Sequence, residues 1–360
     1  MAINWRRHWR AAIVAGVAIV VGVALLRPSL QCVERDKACA AKTLASHPVR
    51  RMAFWQHDSD RALEQRVGPA PQALLEYLNL DNIRGGFPER PRGVQLDAAF
   101  LDDVHAAFSE LPQSIQTLFR QRLVGIYFVD DLGSTGYTDV VFDQNDKPVA
   151  GFIVLDRKLL QMSTANAWAT RKENTPFKWH SAYQLQAQLE QPANDNRKNA
   201  IQYILLHELG HVLSIGRVVH PPWTTMGTSA GEPKDYPFFN LSWLNPSKPG
   251  VYVSLFDGYF PLRKHVAYYF GARFNADQMQ DTYTQLETTN FPSLYAATGP
   301  ADDFAEAFVS YVHVVVLKRP WHITISRHGS VLKVFNACWG EARCADKQAL
   351  LEAMLTPHPS

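Results

Sequence analysis

The stretch Ile204-Leu-Leu-His207-Glu208-Leu-Gly-His211-Val-Leu-Ser-Ile-Gly216 carries the residues best suited to chemistry. Two histidines four apart share one face of a helix. Each can offer a neutral imidazole nitrogen to one zinc ion at ~2.0–2.1 Å. Glu208 sits about 100° round the helix from His207, beside such a metal rather than on it. There it can take a proton from a metal-bound water, which is the task of a general base. Ile201, Leu205, Leu209 and Val212 supply an apolar stripe on another side. Gly210 costs about 1 kcal/mol against Ala inside a helix, so close packing is expected there. Gly216 suits the helix end. The plain alternative is a helix with two satisfied core histidines.

A tetrahedral catalytic zinc needs a third protein ligand and an open fourth position. One known pattern continues with Gly three residues after the second histidine and His six after. Those positions hold Ser214 and Arg217, and His220 lies at an unsuitable spacing beside Pro221 and Pro222. The better source is Ser293-Leu-Tyr295-Ala-Ala-Thr-Gly-Pro300-Ala-Asp302-Asp303-Phe-Ala-Glu306-Ala-Phe308. Pro300 can open a helix, on which Asp302 and Glu306, four apart, share a face. The expected division is Asp302 on zinc and Glu306 hydrogen-bonded to a ligating histidine, fixing its tautomer. Asp303 and Glu306 remain alternative ligands. The competing explanation is that Asp302 and Asp303 merely favour the helix N-terminus through its dipole. His313 reads as a core or supporting residue rather than a ligand.

Together, His207-Glu-x-x-His211, Tyr295, Asp302 and Phe304-Ala-Glu-Ala-Phe308 resemble the gluzincin-type zinc metallopeptidases. The likeness is greatest to the catalytic domain of anthrax lethal factor, over roughly residues 195–320. The resemblance implies a zincin-like fold, a bound Zn2+ and hydrolysis of peptide bonds in a peptide or protein substrate. It implies that the Tyr295 position stabilises the transition state and that the Asp302 position is the third ligand, a glutamate in that family. Aspartate is one methylene shorter, so the backbone must approach the metal more closely. It further implies that a sheet edge holds an extended substrate, for which Gly151-Phe-Ile-Val-Leu155 is the candidate edge strand.

Which elements must hold these residues? Residues 49–122 read as mostly helical, with apolar residues at helical spacing over Gln72–Leu80, Leu96–Phe108 and Ser114–Leu123. Leu123–Val129, Tyr137–Phe142 and Val149–Leu155 read as strands separated by turn residues. Helices are expected over Ser181–Glu190, Asn199–Ile215 and about Ala301–Leu317. The class is α+β, with a small mixed sheet in one domain over 49–360. Ninety residues separate His211 from Asp302. Within them the segment 216–300 is an aromatic-rich insertion that includes Trp223, Phe238, Phe239, Trp243, Tyr252, Phe256, Tyr259 and Phe260. It reads either as a subdomain with its own small core or as an aromatic wall over the cleft.

Residues 1–27 read as a signal anchor. Ala11–Leu26 carries no charge over 16 positions. That is about 24 Å of helix, slightly short of a ~30 Å hydrocarbon core. Trp5 and Trp9 suit an interfacial belt, and Arg10 and Arg27 can snorkel. A cleaved signal peptide is the alternative. Residues 28–48 read as a polar stalk. Cys32, Cys39, Cys338 and Cys344 form two close pairs by sequence, which fits disulfides in an oxidising space but leaves three connectivities open. The domain is therefore expected to hang from the bacterial inner membrane by a single pass and face the periplasm. The 360 residues, with 36 basic and 34 acidic side chains, carry a net charge of +2. That balance marks no nucleic-acid partner. Two other readings stay open: a catalytically degenerate zincin-fold module that binds an envelope partner, and a hydrolase of peptidoglycan peptide bonds.

Overall fold

The computed structural model describes residues 32, 36–120, 122–222, 236–244 and 252–356. The anchor over 1–27, with Trp5 and Trp9, and Trp223 of the insertion lie outside the described residues. Among the described residues, no helix is long and apolar enough to cross a membrane.

The architecture is α+β. A four-stranded mixed sheet has the order β1 (Val67–Pro69), β2 (Leu123–Val129), β4 (Pro148–Asp156), β3 (Gly136–Phe142). β1, β2 and β4 are parallel, and β3 runs antiparallel along the edge. Period-two alternation sorts the side chains of β2 and β4 between two layers. Ile126, Phe128, Ile153 and Leu155 face one core, while Tyr127, Val129, Phe152 and Val154 face the other. The second core is closed by α1 (Lys37–Ala45), α2 (Met52–Ser59) and α3 (Gln72–Gly85). The first is closed by α4 (Ala98–Ser109), α5 (Gln113–Arg120) and later helices.

After β4 come α6 (Arg157–Gln161), α7 (Ala165–Asn174) and β5 (Tyr183–Gln188), then the long α8 (Arg197–Ser214). The insertion holds the short pair β6 (Trp243–Leu244) and β7 (Val253–Ser254) and then α9 (Met279–Leu286). It is followed by α10 (Pro300–Tyr311), which ends in a π-helical turn over Val312–Val316. β8 (His322–Arg327) pairs with β5 and β9 (Ser330–Asn336), and α11 (Ala345–Leu355) closes the chain. The disulfides are Cys32–Cys39 and Cys338–Cys344, two local bridges.

Four expectations need correction. The stretch read as a stalk contains α1, which buries Ala40 and Leu44 against α3, since apolar residues four apart make a sticky stripe even in a polar segment. Ser181–Glu190 contains β5 instead of a helix: Leu185 and Ala187 alternate inward, and period two outweighs helix propensity. Gly151–Leu155 lies in β4, inside the sheet, and every residue there is buried. An unbroken apolar run suits an interior strand covered on both faces, whereas β3, with mixed polarity, takes the edge. Among the described residues, the insertion has no core of its own. Phe238, Phe239, Trp243 and Phe260 are buried in the main core, and Phe238 meets Phe304 of α10 edge-on at 5.0 Å.

Candidate metal centre and cleft

α8 begins at Asn196, whose side chain accepts from the Asn199 amide at 3.0 Å, and runs buried through the middle of the domain. α10 begins at Pro300 and crosses it. A Cβ built on Gly210 would stand 2.8 Å from the Cα of Ala305, so the glycine sets how closely the two helices approach. That crossing draws the first turn of α10, with Asp302, toward His207 and His211. Close backbone approach is what the shorter aspartate requires.

The ligand atoms converge. Oδ1 of Asp302 lies 4.0 Å from Nε2 of His207 and 3.7 Å from Nε2 of His211, and the three donors sit within 4.8 Å of one another. Tetrahedral zinc with ~2.1 Å bonds spaces its ligands by about 3.4 Å, so small rotamer changes close the set on an ion. Two imidazoles and one carboxylate form a borderline-soft donor set that fits zinc. Burial, helped by the neighbouring His207, pushes the His211 imidazole well down, which favours its neutral, ligating form. Burial raises the Asp302 carboxyl, opposed by the nearby His207.

Glu306 stands on the other side of His207. Its Oε1 is 3.0 Å from His207 Nδ1, within reach of a proton on that nitrogen. Burial opposes its charge, but Lys172 and His207 outweigh burial and hold the carboxyl well below the usual range. Burial alone would depress His207, yet the Glu306 carboxylate raises it. Glu306 thus contacts His207 and lies outside the His207, His211 and Asp302 group that could hold an ion. Asp303 points away altogether. It is fully buried, takes the Lys347 ammonium at 2.5 Å and accepts from Trp243 Nε1 at 2.9 Å. It is not among the groups that converge with the histidines, since residues one apart on a helix face about 100° apart. His313 is core: its Nε2–H donates to the Leu189 carbonyl at 2.8 Å.

Glu208 reaches toward the sheet edge. Its Oε2 accepts from Thr138 Oγ1 of β3 at 2.7 Å, and burial pushes the carboxyl upward against the opposing His207 and Thr138. Gly136 on the same strand leaves the space that this carboxylate fills, and any Cβ there would collide with it. Tyr295 packs its ring 5.7 Å from the His207 ring centroid, with Tyr268 edge-on behind it. Burial, with Asp302 adding, holds its hydroxyl protonated far above neutral pH.

Of these groups, His207, Glu208 and Tyr295 line a cleft of about 470 Å³, together with Lys172, Gly136, Tyr137 and Trp168. Phe87, from the turn after α3, and Phe270, from the insertion, meet at its mouth with ring centroids 6.0 Å apart. Phe270 is 71% exposed. Beside it, Tyr269 holds φ 67, a left-handed conformation that is strained for a bulky residue.

Sequence reading missed Lys172, Thr138, Gly136 and the Phe87–Phe270 pair. Each lies far from His207 in the chain, and no local periodicity marks it. A lysine inside the otherwise inward-facing set Trp168, Ala169 and Glu173 was the one available signal. Set against known proteins, the chain matches no family model, no curated protein and no solved structure.

Proposed function

We propose that the chain is a zinc-dependent metallopeptidase of the zincin type, acting on peptides or proteins in the bacterial cell envelope. The observation that carries this reading is the convergence of His207, His211 and Asp302 from two crossing helices, with Glu208 and Tyr295 opening on the same cleft. The antiparallel edge strand beside the metal centre adds support, because a zincin-like fold is expected to offer a sheet edge to its substrate.

His207, His211 and Asp302 would hold zinc, which would supply Lewis acidity and lower the pKa of a bound water toward ~7. Around it, Glu208 has one oxygen held by Thr138 and the other against Gly136 on the cleft wall, and it would take a proton there and later pass it to the leaving amine. Tyr295 donates a hydrogen bond to the carbonyl oxygen as negative charge develops. The outer edge of β3, bridged at its end by Arg51 to Phe142, would pair with the backbone of an extended peptide, and the aromatic mouth would receive its apolar side chains. The N-terminal anchor would hold the domain on the periplasmic face of the inner membrane.

The deciding test is zinc per chain, with hydrolysis of an unfolded protein and of purified cell wall as parallel substrates. One zinc in the parent is expected, lost in Asp302→Ala. Glu208→Gln is expected to keep zinc and lose hydrolysis. Zinc that survives Asp302→Ala unchanged refutes the ligand set. A zinc-loaded parent that cleaves neither substrate favours a binding module, and cleavage of cell wall alone favours a peptidoglycan peptidase.

A further inference from the structure

Lys172 has no role in the reading above, yet it sits at the centre of the site. It lies on α7, 6% exposed, with its side chain on the cleft wall. Its Nζ donates to Oε1 of Glu306 at 2.8 Å, the same oxygen that stands 3.0 Å from His207 Nδ1. The other oxygen, Oε2, accepts from Ser293 Oγ at 2.6 Å. Above, the ammonium sits 4.4 Å from the centre of the Tyr295 ring and 5.6 Å from that of Trp168. Below, Glu173 Oε1 lies at 4.0 Å, while Glu173 Oε2 accepts from the hydroxyls of Tyr268 and Tyr283 at 2.8 Å each.

We propose that Lys172 is a positioning residue for the metal centre: one ammonium sets the plane of the Glu306 carboxylate that orients His207, and the same ammonium seats the Tyr295 ring. The proposal rests on the metallopeptidase reading above. A carboxylate with two partners on one oxygen and one on the other has a single satisfied orientation. That orientation points Oε1 at His207 Nδ1, so the ring proton stays there and the Nε2 lone pair faces Asp302 and His211. A cation over an aromatic face is attracted by the ring quadrupole, which keeps Tyr295 beside the reacting carbonyl. Lysine suits this place because its compact ammonium donates to Glu306 and faces Glu173 and the tyrosine ring at once.

A merely structural lysine would tie α7 to α10 and nothing more. Zinc affinity measured by chelator competition on the full chain separates the two roles. Lys172→Met is expected to weaken zinc binding about 10- to 100-fold. Lys172→Arg, which restores the charge, is expected to recover most of that loss. Added to Glu306→Gln, Lys172→Met should cause little further loss, because both act through one carboxylate. Parental affinity in a folded Lys172→Met protein overturns the proposal, as does full additivity of the two losses.

A second measurement needs no metal. Nitrogen NMR of the His207 ring, at a pH where the ring is neutral, is expected to place the proton on Nδ1 in the parent and to lose that preference in Lys172→Met. An unchanged tautomer overturns the proposal even if the parent takes up zinc normally. A parent that binds no zinc but shows the tautomer change refutes the metal reading and leaves the positioning role standing. If Lys172→Met does not fold, Lys172→Gln takes its place in both measurements.

Discussion

The chemistry asked of Tyr295 is narrow. On the proposed mechanism its hydroxyl would contribute only when charge builds on the carbonyl oxygen, so Tyr295→Phe is expected to lower kcat by about 10²–10³-fold with KM little changed. Steady-state kinetics on one peptide decide this, and an unchanged kcat removes Tyr295 from the mechanism. Gly136 makes a different point. It has no side chain because the Glu208 carboxylate occupies that space. If Glu208 is the base proposed above, Gly136→Ala should keep zinc and melt near the parent temperature, yet lose about 10²-fold in activity, because the carboxylate would be displaced by the better part of an ångström. Parental activity would show that Glu208 moves aside without consequence.

At the scale of elements, the site depends on where α8 and α10 cross. The distance of Asp302 from the histidines is set three residues further along α10, where Ala305 rests on Gly210. Adding one methyl there forces the helices apart. Gly210→Ala is expected to cost about 1–3 kcal/mol in denaturant unfolding and to weaken zinc binding in the same protein. A variant as stable as the parent would show that the crossing has slack. α1 carries a practical consequence, because a chain begun at residue 45 loses Ala40 and Leu44 from the core under α3. A soluble form should begin before the Cys32–Cys39 bridge.

For the whole molecule, one core joins the insertion, the α8–α10 crossing and the β5–β8–β9 sheet. Buried histidines make that core sensitive to acid. Burial, with nearby Arg319 adding, holds His313 down to about 4 from an ordinary value of 6.5. Between those values the unfolded chain binds the proton and the folded one does not, so stability rises with pH across the window. Stability is therefore expected to be full above pH 6.5 and to fall as the pH drops to about 4. At about 1.4 kcal/mol per pH unit, this one group contributes on the order of 3 kcal/mol to that loss. Urea unfolding at stepped pH checks it. His313→Gln should flatten the slope in that window, and an unaltered slope would place the acid sensitivity elsewhere.

Much of this was readable from residues alone, for a physical reason. Spacing along one helix is a local property. His207 and His211 on one face, Glu208 offset, Pro300 opening α10 and Glu306 one turn beyond Asp302 all follow from 3.6 residues per turn. The three main strands and the α+β class follow likewise from the change of hydrophobic period. Contacts between distant segments carry no such signal. Only the folded chain places Asp302 opposite the histidines, turns Asp303 toward Lys347, sets β3 rather than β4 at the edge, and brings Lys172 onto Glu306. Those choices are made by which surfaces bury each other. Burial depends on the whole chain at once, whereas spacing depends on the few residues that share a turn.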